Sequence, residues 1–116
     1  MKTTAMNIAK YVIMKCVSED MPVNNIHLQA ILYNINATYL NQYNKTLFDE
    51  ETTIARFGPM IPNIHYHFGP IFGIMSIIPI QNEYSDYDMS DIDVELIDNE
   101  IRVYLKSHEW MLAVAN

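Results

Sequence analysis

The sequence predicts a mainly helical α+β fold, a single domain over residues 1–116 with a small antiparallel sheet of short strands. Three observations lead there. Apolar residues recur at helical spacing from Ala5 to Cys16 and again from Leu28 to Tyr39. A Thr- and Ile-rich run, Thr52 to Phe57, stands between turn signals. Near the end of the chain, Ser90 to Leu105 reads as a capped amphipathic helix. Half of the 116 residues are hydrophobic, enough for one core and too many for disorder.

The first helix is predicted over about 4–18, with Thr3 or Thr4 as its cap and Ala5, Ile8, Ala9, Val12 and Cys16 as its buried stripe. Met21-Pro22 ends that element, because the residue before proline resists the α region. Asn24 or Asn25 caps the second helix, with Val23 in the staple position. Leu28, Ile31, Leu32, Ile35 and Tyr39 share one face, and Asn34, Thr38, Asn41 and Gln42 the other. Asn44-Lys45 signals a turn, after which Leu47 and Phe48 read as the edge of a short strand. The run Thr52–Phe57 has strand composition, and Gly58-Pro59 is expected to stop it and turn the chain. Pro62 suits the first position of a new helix, where its missing N–H costs nothing. Ile61, Ile64 and Phe68 form the apolar side of that helix, and Gly69-Pro70 closes it after about two turns. Gly73 to Ile80 is β-branched and reads as a strand, with Pro79 marking an edge position or the strand end. Gln81 to Met89 is a polar loop. Ser90, with Asp93 three residues on, resembles a capping box, and Val94, Ile97, Ile101, Tyr104 and Leu105 form the stripe of the last helix.

Charge narrows the partners. Eight acids and no Lys or Arg fall between Glu83 and Glu100, more than the whole formal net charge of −7. Direct nucleic-acid binding, which needs Lys and Arg against phosphates, is not expected, and a target of the acidic segment should itself be basic. Lys10 and Lys15 interrupt the N-terminal apolar run, so it does not read as a signal peptide. The run Pro70–Ile80 is too short and too rich in Pro and Gly to span a bilayer. With a single cysteine, a cytoplasmic chain without membrane contact is the expectation.

No catalytic constellation emerges. Cys16 falls on an apolar stripe, where a small buried thiol is the ordinary reading. His65 and His67 form an H-x-H pair, yet residues two apart on a helix do not share a face. A metal-assisted hydrolase built on them is the weakest of the readings, and neither metal nor cofactor is expected. The run Asp86-Tyr87-Asp88-Met89-Ser90 begins like a calcium loop, but Asp91 occupies the glycine position and Ile97 the place of the closing Glu. The three glycines, Gly58, Gly69 and Gly73, make no phosphate cradle. A non-enzyme is therefore expected. Eight Met and eight Tyr suit an adaptable binding face.

Three short motifs, in order, carry a family resemblance. They are Ala9-Lys10-Tyr11-Val12, then Leu28-Gln29-Ala30-Ile31-Leu32-Tyr33, then Arg56-Phe57-Gly58-Pro59-Met60-Ile61-Pro62-Asn63-Ile64-His65. With Ser90–Lys106 as closing helix, the chain from about Met6 to Leu105 resembles the Panacea domain, the phage-associated GepA-like or SocA-like antitoxin family. Ala30 stands where that family usually has lysine, and His65 where tyrosine is common. The resemblance implies a small α+β domain of phages and mobile elements that binds and neutralises a toxin, or in some members delivers it to a protease. The leading expectation is thus a non-enzymatic, antitoxin-like neutraliser acting by steric occlusion. The alternative is a phage-encoded inhibitor of a host defence nuclease, an anti-CRISPR protein, whose acidic segment enters a basic nucleic-acid groove. The expected partner-contact residues are Tyr66, His67, Tyr84, Asp86, Tyr87, Asp88 and Asp91.

Overall fold

The computed structural model describes residues 2–108; residues 1 and 109–116 of the expected domain lie outside the described residues. The elements are α1 (Ala5–Ser18), α2 (Asn25–Tyr43), β1 (Thr53–Ala55), β2 (Gly58–Met60), α3 (Pro62–Phe72) and α4 (Val94–Ser107). The fold is mainly helical α+β, as the periodicities predict.

Both early helices start where their caps require. The Thr4 hydroxyl accepts from the Asn7 amide and the Asn24 side chain from the His27 amide. Each such cap contributes about 1 kcal/mol. Asn44 ends α2 in the left-handed conformation, returning its N–H to the Leu40 carbonyl. α2 is the centre of the molecule and packs against α1, α3, α4 and β2. Around it Ile8, Val12 and Cys16 of α1, Leu28, Ile31 and Ile35 of α2, Ile64 and Phe68 of α3, and Ile97 and Ile101 of α4 are almost wholly buried.

Five expectations need correction. Leu47 and Phe48 are buried but form no strand: both amides donate to Asn36 Oδ1 (2.7 and 3.2 Å), and Asn36 Nδ2 donates to the Phe48 carbonyl. One side chain stands in for the missing strand partner. Gly58-Pro59 does not stop the first strand but begins the second. The chain reverses at Arg56-Phe57, Gly58 leaves that turn at φ +120°, and Ala55, Ile54 and Thr53 pair with Gly58, Pro59 and Met60. Proline is accommodated because each strand of a two-stranded ladder keeps an outer edge that needs no donor.

Gly69-Pro70 does not close α3, which runs on to Phe72 and ends at Gly73, φ +57°. Pro70 lies late in the helix, where the lost bond is one among few, and the Gly73 amide still reaches the Gly69 carbonyl at 2.8 Å. The segment 73–80 is not a strand. No strand lies beside it among the described residues, and its Ile77 amide donates instead to the Val23 carbonyl at 2.8 Å. Lastly, Asp93 rather than Ser90 caps α4, accepting from the Leu96 amide. Ser90 is spent on Asp88, to which its amide and hydroxyl both donate, and Asp91 takes φ +61°, which no helix admits.

Candidate functional site

The inward arc of α2 carries polar side chains among its apolar ones, and they organise the molecule's most distinctive corner. Gln29 is 2 % exposed. Its Oε1 accepts from the Ile61 amide at 2.7 Å, and its Nε2 faces the Ile61 carbonyl and Asn25 Oδ1, both at 3.4 Å. One turn earlier, Asn25 Nδ2 lies 3.1 Å from His65 Nδ1. The exit of the hairpin and the first turns of α3 are thereby clamped to the start of α2. Gly69 leaves the room His65 needs, since a Cβ there would sit 3.0 Å from its ring.

Outside this clamp the surface is apolar. Ile54, Phe57, Tyr66, Ile74, Met75, Ile78 and Ile80 are each 59–81 % exposed. They lie on the hairpin, on α3 and on the chain that follows it. The hairpin and His65 wall a cleft of about 90 Å³ together with Ile26 and Gln29. The chain after α3 is fastened to Val23, the residue before the cap of α2. Single exposed apolar residues are ordinary; here seven large ones fall on the hairpin, α3 and the run after it. The Arg56 guanidinium, 5.7 Å from the Phe57 ring, is the cation at the hairpin tip.

The seven expected contact residues separate into three fates. Tyr66 is 74 % exposed and belongs to the apolar surface; His67, next to it on α3, is exposed as well. Tyr84 requires correction: it is 4 % exposed, edge-on to Phe68 at 5.5 Å and to His67 at 6.2 Å, and anchors the acidic loop in the core. An aromatic in a polar loop is a loop anchor as readily as a contact.

Asp86, Tyr87 and Asp88 remain accessible but tie the loop to α1. Lys10 bridges to Asp86 at 3.1 Å, Tyr87 meets Tyr11 edge-on at 5.2 Å, and Asn7 Oδ1 accepts from the Asp88 amide at 2.7 Å. Asp91 is exposed. Hydrogen bonds hold three carboxyls below the ordinary range: Asp86 through Lys10, Asp88 through Ser90 and Asp93 through Tyr43. Asp98 accepts from the Tyr11 hydroxyl, Glu100 from Thr38 and Glu83 from the Ile80 amide, so six of the eight acids of the segment accept hydrogen bonds within the fold. Of these acids only Asp86 is paired with a cation among the described residues, so the segment keeps most of its negative charge.

His27, 6 % exposed, has its Nδ1 2.6 Å from the Tyr104 hydroxyl, and His108 stacks on Tyr104 at 4.0 Å. Burial, then the nearby His108, lowers the His27 pKa. Cys16 is fully buried and its thiol is pushed up to about 12, first by burial and then by Glu19. That is the opposite of an activated nucleophile. Among the described residues, no three His, Cys, Asp or Glu side chains converge as a metal site, and no helix is long and apolar enough to cross a membrane.

The apolar corner was missed in the sequence because a β-branched run reads first as a strand. The clamp did leave a signal: Asn25, Gln29 and Asn36 share the spacing of Leu28 and Leu32 on the inward arc. Comparison of the chain with protein-family models, curated proteins and solved structures finds no match.

Proposed function

We propose that this chain is a protein-binding neutraliser, antitoxin-like and of phage or mobile-element origin, that works in the cytoplasm by covering a partner protein rather than by catalysis. The observation that carries the reading is the apolar surface around Phe57, Tyr66 and Ile78 beside a polar clamp that holds its backbone in place. Rigid presentation lowers the ordering cost of binding, and an aromatic such as Phe57, exposed in the free chain and covered by the partner, is where interface energy concentrates. The order of motifs from Ala9 to His65, resembling the Panacea domain, supports the same reading.

The test is co-purification with the product of the adjoining gene, followed by titration of the pair at low and high salt. Contacts made by Phe57 and Ile78 survive 1 M salt, where the screening length is about 3 Å. Phe57→Ser with Ile78→Asp should weaken the complex at least about 100-fold while leaving the fold intact, given the cost of truncating interface anchors. If the double variant binds as well as the parent, and affinity instead falls steeply with salt, the acidic loop is the contact. A basic groove of a defence nuclease then becomes the better partner.

A further inference from the structure

A second recess lies away from the apolar corner, between the end of α1 and the face of α4. It is a cleft of about 320 Å³, with Met21, Ile101 and Leu105 as its apolar wall and Lys15, Arg102 and Lys106 around it. Three of the chain's seven Lys and Arg thus surround one cleft in a protein of net charge −7. Two acids line it as well. Glu19 lies 3.7 Å from Lys15 and takes up that cation. Asp98 accepts the Tyr11 hydroxyl at 2.5 Å while keeping its charge, so three cations face two acids. Arg102 and Lys106, exposed and one turn apart, have no carboxylate within 4.0 Å among the described residues. Lys106 in the last turn also complements the helix dipole. That accounts neither for Arg102 a turn earlier nor for the apolar wall.

The geometry points to a binding site for a small amphiphile. Its apolar body lies against the half-buried Met21 and the small edges of Ile101 and Leu105 that the core leaves open, and its single carboxylate is held between Arg102 and Lys106. The volume falls at the lower end of small-molecule sites, roughly 300–1,000 Å³, which favours a short chain or one ring over a long lipid. The Arg102 guanidinium presents a fork that suits a carboxylate, and Lys106 adds a point charge beside it. This site is independent of the protein-binding surface.

Octanoate and 1-octanol share a chain length and differ in the head group, so together they test the assignment. Added to the isotope-labelled full chain, octanoate should shift the amide resonances of Ile101, Arg102, Leu105 and Lys106 saturably. It should bind about tenfold more tightly than 1-octanol, the advantage of a charge-assisted head-group contact. Arg102→Gln with Lys106→Gln, both at exposed positions, should erase that advantage without lowering the melting temperature. Inorganic phosphate is the third probe and should leave these resonances in place. Equal binding of octanoate and 1-octanol, or shifts confined to other residues, would overturn the proposal. So would an equal response to phosphate, which would mark a mere anion patch.

Discussion

Replacing Gln29 by leucine isolates the clamp between α2 and the hairpin exit. The substitution keeps side-chain volume, so no cavity term enters. The Ile61 carbonyl retains partners, because the Ile64 and His65 amides donate to it at 3.1 and 3.0 Å in the first turn of α3. The Ile61 amide does not: its 2.7 Å acceptor is gone and the residue is fully buried. One orphaned buried N–H costs about 1–3 kcal/mol. For a domain of this size each kcal/mol moves the midpoint by about 4 °C, so a loss of about 2 kcal/mol lowers it by about 8 °C. Circular dichroism melts measure the shift, and amide exchange at Ile61 should quicken more than at Ile31 or Ile35. A midpoint within about 2 °C of the parent, with Ile61 still protected, would refute the clamp, since it lies below the smallest cost the buried amide implies.

Four further outcomes follow from the same structure. Asn36→Ala removes the acceptor shared by the Leu47 and Phe48 amides and should cost about 2 kcal/mol, read as a lower urea midpoint with unchanged slope. Because the His27 pKa is lowered from 6.5 in the fold, the unfolded chain binds the proton first as pH falls. Stability is complete above pH 6.5 and declines below it at up to about 1.4 kcal/mol per unit, until His27 itself titrates; melts between pH 7.5 and 5 measure the slope, which His27→Gln should flatten. Asp86, Asp88 and Asp93 act in a separate window: their lowered values add stability that is lost only as pH falls below 3.8. Cys16, raised from 9.0 to about 12, should resist iodoacetamide at pH 8 in the native protein and react quickly in urea.

The helical frame was readable because period and caps agree. Ala5 to Cys16 and Leu28 to Tyr39 keep one face apolar, Thr4 and Asn24 mark the starts, and Pro62 opens α3. Legibility failed where a side chain or a turn overrode composition. Asn36 satisfies the amides of Leu47 and Phe48 without a strand, and the reversal at Arg56-Phe57 comes earlier than Gly58-Pro59 advertised. At Asp91 a left-handed residue delays the last helix beyond an otherwise good capping serine. The surface was half readable. Tyr66 and His67 were placed correctly on the outside, but Tyr84 turned inward, and the exposed run after α3 was hidden behind its β propensity.

That run holds Ile77 fully buried and hydrogen-bonded to Val23, while Ile74, Met75, Ile78 and Ile80 point outward. The residue that anchors this segment and the residues that face outward are consequently different letters of one short word. The outward positions are free to vary, because a change at any of them leaves the anchoring residue and the interior untouched.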